Sequence, residues 1–209
     1  MTKLLDEHAP AAAPEPSPSA AILLDLRPVV ELTDEQFFAL CRANAELRFE
    51  RTAEGDILIM PPTGSRTGNR NFKLTFQVAK WAEEDGTGLG FDSSTAFKLP
   101  NGAVRSPDAA WIRRERWDAL TDAQREQFAP VCPDFVAELR SRTDSLAELQ
   151  DKMAEYVASG ARLGWLLDPL ERRVHVYSPQ REAVRLDDPE TVAGSPVLPG
   201  FVLRPREIW

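Results

Sequence analysis

Cysteine and histidine are both scarce in this chain, with two of each among 209 residues. Cys41 and Cys132 stand alone, so neither CxxC zinc spacing nor a disulfide framework is present, and both are expected as reduced core residues. His8 and His175 leave no material for a histidine-rich metal site or a Ser-His-Asp triad. Any metal must therefore be held by oxygen. No apolar run approaches the ~20 residues that span a bilayer, and MTKLLDEHAPAAAPEP, with no apolar core before its acidic and proline-rich stretch, does not read as a secretory signal. A soluble, cytoplasmic protein is the expectation. Positive charge is also in deficit: 25 Lys and Arg face 33 Asp and Glu, a net charge of −8. That argues against a broad basic surface for nucleic acid and allows only a local basic rim.

What is present has a clear order along the chain. Residues 1 to about 20 are rich in Ala and Pro without periodicity and are expected to form a flexible tail, leaving 21–209 for one domain of ordinary size. Thr33 with Gln36 three residues on, ahead of Phe37, Phe38 and Leu40, has the pattern of a capping box and a short helix. Leu47 to Thr52 and Asp56 to Met60 read as an N-terminal β-hairpin closing at Gly55, and Pro61-Pro62 ends its second strand. Asn71 to Glu84 carries both a strand-like and a helix-like pattern. Its length, and Asn69 or Asn71 as a cap, favour a helix. Apolar residues on two sides of that helix suggest burial against a sheet and against something else, a second subunit included.

Glycines 86, 88 and 90 end that helix. Phe91 to Leu99 and Ala109 to Ile112 read as strands separated by the turn Pro100-Asn101-Gly102. Arg113 to Phe128 is a charged connection with short helices. Asp134 to Leu139 is a short apolar strand, and Ser145 to Ser159 is the best helix in the chain, stopped by Gly160. Leu163 to Leu167 has the near-continuous apolarity of a buried strand, and Val174 to Tyr177 with Ala183 to Leu186 complete the sheet edge. The fold class is α/β (α+β), a mixed central sheet flanked by helices.

Three places in this order carry chemistry: Ser106-Pro107-Asp108 entering a strand, Glu138 near the end of the next, and Lys152 on the helix that follows. Neighbouring strands lie about 4.8 Å apart, so an acid entering one and an acid leaving its antiparallel partner can share a cation. Lys152 falls about 60° from Leu149 in helical projection, where its stem can pack on the sheet while its ammonium reaches the carboxylates. Two carboxylates and a lysine suit phosphodiester hydrolysis: Mg²⁺ prefers oxygen ligands and lowers the pKa of bound water, and the ammonium can stabilise developing charge. Each residue alone also has an ordinary structural reading, as a turn acid, a paired strand end and a solvated helix lysine. A glycosidase using the paired acids would leave the lysine without a role. The basic rim would come from Arg113, Arg114, Arg116, Arg140 and Arg142. Asp168 before Pro169 reads as a turn residue, and Trp165 and Trp209 as core or interface.

Taken together, the hairpin with Gly55 and Met60-Pro61-Pro62, Ser106-Pro107-Asp108, Cys132-Pro133-Asp134-Phe135-Val136-Ala137-Glu138-Leu139, Lys152 with Glu155-Tyr156, and Gly164-Trp165-Leu166-Leu167-Asp168-Pro169 resemble the Uma-type restriction endonuclease family of the PD-(D/E)xK superfamily. The resemblance runs over roughly residues 30 to 205. It implies a restriction-endonuclease-like fold, a Mg²⁺- or Mn²⁺-dependent site acting on DNA, and a homodimer. It matches Asp108 to the strand Asp and Glu138 to the second acid, both as metal ligands, and Glu50 to a further acid of the family. The lysine of the (D/E)xK element is missing because Arg140 holds that position; the resemblance implies a lysine moved to the helix, here Lys152. Where family members carry a His after the MPP-like segment, this chain has Ser65, Arg66, Thr67, Gly68 and Asn69. The expectation is a metal-dependent endonuclease, the alternative a catalytically inactive nuclease-fold binding or assembly module.

Overall fold

The computed structural model describes residues 21–27 and 29–209; the tail expected over residues 1 to 20 lies outside them. In chain order the elements are β1 (Ile22–Leu24), α1 (Asp34–Ala43), β2 (Arg48–Arg51), β3 (Ile57–Met60), α2 (Ser65–Asp85), β4 (Gly88–Asp92), β5 (Phe97–Lys98), β6 (Val104–Arg105), β7 (Ala109–Arg113), α3 (Arg114–Asp118) and α4 (Asp122–Arg125). Then come β8 (Phe135–Leu139), α5 (Leu146–Ala158), β9 (Leu163–Asp168), β10 (Arg173–Tyr177), β11 (Val184–Asp187), β12 (Val192–Ala193), β13 (Val202–Leu203) and a closing 3₁₀ turn, Pro205–Glu207.

The large sheet is mixed, in the order β11-β10-β9-β8-β7-β4. Only β8 and β9 run parallel, and α5 makes their crossover. Strand alternation divides the side chains between two cores. Phe135, Ala137 and Leu139 face the side covered by Leu74, Val78 and Trp81 of α2 and by Phe201 near the C-terminus. Val136 and Leu166 face Met153 and Tyr156 of α5. Helices thus flank both faces, as expected, and β9 is buried along its whole length, which is why it reads as an unbroken apolar run.

The N-terminal hairpin forms as expected, with Glu50 opposite Leu58 and Gly55 at a positive φ of 96° in its turn. It does not stand alone. β1, β6 and β5 extend it into a second sheet, ordered β1-β3-β2-β6-β5, against which α1 packs Phe37 over Ile57 and Val104. The capping box of α1 is present: Gln36 N donates to Thr33 Oγ1, and Thr33 N donates to the Gln36 side chain.

Two sequence expectations need correction. Helix α2 begins at Ser65, six residues before the expected start, with Gly64 as an N-cap that offers no side chain. Asn69 and Asn71 are therefore helix-interior residues. The strand expected over Phe91 to Leu99 is broken by a turn in which Asp92 accepts from Ser94 N and Thr95 N bonds back to the Asp92 carbonyl. This break lets the chain leave the large sheet after β4, build β5 and β6 in the small sheet, and return at β7. Ser106, Pro107 and Asp108 are the return crossing, so Asp108 sits at the seam between the sheets.

Candidate active site

The seam brings four elements together. In the β7–β8 register Ala109 lies opposite Ala137 and Ala110 opposite Val136; continued by one residue, it sets Asp108 opposite Glu138, on the face shared with α5. In the small sheet Arg51 lies opposite Val104, so Glu50 and Arg105 are neighbours there. Helix α5 lays Lys152 and Tyr156, one turn apart, across the same place.

Lys152 is the hub. Its Nζ donates to Glu50 Oε1 at 2.8 Å and pairs with Glu138 Oε1 at 2.9 Å. Glu138 Oε1 also accepts from the Tyr156 hydroxyl at 3.0 Å. Glu50, only 4% exposed, accepts from Ser106 N at 2.9 Å and pairs with Arg105 at 3.3 Å. Arg105 is held in turn by Glu155 at 2.6 Å, and Glu155 accepts from Asn101 at 2.9 Å. Asp108 is fixed differently, by uncharged donors: Leu139 N at 2.8 Å and the Asn71 side chain at 2.9 Å.

This distribution of partners sets the protonation of the group. Burial works against charge on Glu50, yet Lys152 and Arg105 hold its pKa below the ordinary carboxylate value. Burial likewise opposes the ammonium of Lys152, but Glu138 and Glu50 push its pKa up. Glu138 shares its one cation with Glu50 and feels Asp108 besides. Burial therefore prevails, and its pKa is pushed up to about 7. Burial also raises Asp108. Four carboxylates (Glu50, Asp108, Glu138, Glu155) face Lys152 and Arg105, with Arg48 acting on Asp108 from outside the ion-paired group, and the undercompensated charge falls on Asp108 and Glu138.

The donor chemistry of that pair fits a small divalent cation. Both are carboxylates, and no hydrogen bond reaches Glu138 Oε2 among the described residues. Mg²⁺ typically takes one or two protein carboxylates and keeps the rest of its shell as water and substrate phosphate. No group of three His, Cys, Asp or Glu side chains suited to a metal occurs among the described residues, so a dedicated all-protein cage is not formed.

Asp108, Glu138, Lys152 and Glu50 all line an open cleft of about 1230 Å³ between the two sheets and α5. Arg140, the fifth candidate, is absent from it. Its guanidinium pairs at 2.7 Å with Asp168, which is fully buried and caps its own turn by accepting from Leu170 N and Glu171 N. Of the five arginines expected at a basic rim, only Arg142 lines the cleft. Arg113, Arg114 and Arg116 lie at the far end of β7, roughly 16 Å from Asp108 at ~3.3 Å per residue, where Arg116 pairs with Asp134. Arginines that do line the cleft, Arg48, Arg66 and Arg70, were missed because they are remote in sequence from both acids. Arg105 and Ser106 stand beside Asp108 in sequence, but their bonds to Glu50 depend on the long-range pairing of β6 with β2, and Asn71 read as a helix cap rather than as a donor to Asp108.

Comparison with known proteins agrees with this architecture. The family model Uma2, described as "Putative restriction endonuclease", matches residues 34–206. Among solved structures, a "putative nuclease belonging to DUF820" from Anabaena variabilis ATCC 29413 superposes with a TM-score of 0.70 at 19% identity, over 85% of this chain and 97% of that one. At that identity the likeness establishes the fold. No curated protein matches the chain.

Proposed function

Because the chain belongs to the Uma2 restriction endonuclease family, we propose that it hydrolyses DNA phosphodiester bonds with a divalent cation held by Asp108 and Glu138. The observation that carries this is the facing pair of acids, Glu138 buried and Asp108 partly so, with Lys152 bonded to Glu138, at the floor of an open cleft. Asp108 and Glu138 would hold Mg²⁺ or Mn²⁺, which supplies an activated water and polarises the phosphoryl group when bound.

The chain's own residues do the rest. Asn71 and Leu139 N fix the Asp108 carboxylate, so its position is set before any ligand arrives. Glu50, anchored by Arg105 and Ser106 N, draws the Lys152 ammonium to the side of Glu138. From there Lys152 can orient the attacking water and stabilise charge on the phosphoryl oxygens in the transition state. Arg140 takes no part, and its ion pair with Asp168 ties the end of β8, which carries Glu138, to the end of β9. We further infer a homodimer, to which the Phe72 and Phe76 rings contribute: both lie on one stripe of α2 and are 69% and 58% exposed.

The test is cleavage of linear, supercoiled and single-stranded DNA by the purified chain in Mg²⁺ or Mn²⁺, beside Asp108→Asn, Glu138→Gln and Lys152→Gln. Loss of activity by at least 100-fold in each variant is the expected result. Cleavage that survives both acid substitutions would sink the reading, and a wild-type chain that neither cleaves nor binds the cation would favour the binding-module alternative.

A further inference from the structure

We propose that Arg48, Arg66, Arg70 and Arg142 form a phosphate-binding rim that seats the DNA backbone across the acid pair. The choice of DNA rests on the nuclease reading above, whereas the rim itself rests on placement and charge. The four residues come from three separate elements: Arg48 from β2, Arg66 and Arg70 from the first turns of α2, and Arg142 from the loop between β8 and α5. All four line the cleft whose floor carries Asp108 and Glu138.

They stand outside close ion pairs in a chain where acids outnumber bases, with only Arg48 acting at longer range on the Asp108 carboxylate. Eleven of the chain's arginines make ion pairs among the described residues, including the structural ones Arg51, Arg105 and Arg140. None of the four rim residues has a carboxylate partner there, and Arg48 is steadied only by the Ser93 carbonyl at 2.6 Å. Arg66 and Arg70 stand one turn apart on the same side of α2, where like charges repel. Burial and the charge of Arg66 both act to lower the Arg70 pKa. The first turn of α2 holds no acid, although an acid is what a helix N-terminus favours. Left alone, this arrangement is electrostatically adverse. An anionic backbone lying over the cleft would relieve it, with contacts on both sides of the phosphate held at the acids.

Backbone binding of this kind has a measurable signature. Four phosphate contacts give a slope of about −3.6 for log affinity against log salt on duplex DNA, or about 150-fold weaker binding at 200 mM than at 50 mM KCl. Fluorescence anisotropy of a labelled 20-base-pair duplex, with the full chain in EDTA so that cleavage does not intrude, reads that slope directly. We expect Arg66→Gln/Arg70→Gln and Arg48→Gln/Arg142→Gln each to lower it to about −1.8, an approximately 12-fold salt effect. Arg113→Gln/Arg114→Gln, at the far end of β7, should leave it unchanged. Arg48, Arg66 and Arg142 are exposed and Arg70 partly so, and unchanged urea midpoints would verify folding.

Equal slopes in rim and far-end variants, or no salt-dependent binding by the wild type, would overturn the rim while leaving the acid pair as proposed. Rim-dependent binding in a chain whose Mg²⁺-dependent cleavage ignores Asp108→Asn would support the rim and overturn the nuclease reading instead.

Discussion

Glu138 is the residue on which charge, burial and the proposed chemistry meet, and its titration can be measured without any substrate. Its ordinary pKa near 4.5 is pushed up to about 7, by burial first, then against Lys152 and with Asp108 and Glu50. The folded chain therefore holds a proton on Glu138 that the unfolded chain has already released. Stability from this source is fully present below pH 4.5 and is lost as pH rises through about 7. At ~1.4 kcal/mol per pH unit, the loss amounts to about 3 kcal/mol. Glu138→Gln keeps the shape and the acceptor for Tyr156 and Lys152 but cannot titrate. Urea unfolding of both proteins in EDTA, at intervals from pH 4.5 to 8, should show the wild type losing about 3 kcal/mol relative to the variant, with equal m-values. Added Mg²⁺ should return part of that loss to the wild type above pH 7, by binding the folded state alone. A stability difference that stays constant across the range would refute the proton on Glu138 and the charge imbalance from which it is derived.

Asp168→Asn should cost about 3 kcal/mol in urea unfolding, because it leaves Arg140 without its buried partner, and Arg140→Lys should cost less while leaving DNA cleavage within a few-fold of wild type. Gly88→Ala would place a methyl 2.4 Å from the Ile112 carbonyl and the Trp111 ring, and a loss of about 1–3 kcal/mol is expected by thermal or urea unfolding. Thr33→Ala removes one half of the capping box of α1 and should cost about 1 kcal/mol. Phe72→Glu with Phe76→Glu should shift the mass measured by light scattering to that of one chain while leaving the far-ultraviolet circular dichroism spectrum unchanged, because neither ring is buried in the fold.

The parts of the fold that could be read from the sequence are those written in short-range signals. The capping box of α1, the helix α5 with its Gly160 stop, and the apolar run of β9 each depend on residues a few positions apart, and each appears where expected, Ser145 serving as the α5 N-cap. The order acid, acid, lysine was legible too, since a strand, its antiparallel neighbour and the following helix bring Asp108, Glu138 and Lys152 together almost by topology alone. What escaped was long-range or cryptic. Nothing in Val104 or Phe97 announces that β6 and β5 join the hairpin's sheet, yet that pairing sets Arg105 beside Glu50. Helix α2 starts early because Gly64 caps it without a side chain, so Asn71 read as a boundary rather than as the donor that fixes Asp108. Arg113 to Arg116 were expected near the acids because they follow Asp108 closely in sequence, but β7 carries them away from the cleft. Arg140 occupied the expected lysine position, but the buried Asp168 claims its charge.

In the proposed mechanism Asp108 and Glu138 together hold one divalent cation. Mn²⁺ titration followed by electron paramagnetic resonance, on the wild-type chain and on Asp108→Asn and Glu138→Gln at pH 8, measures that most directly. One site in the wild type, weakened at least tenfold by either substitution, is the predicted result. Mn²⁺ binding of equal strength and stoichiometry in all three proteins would contradict it.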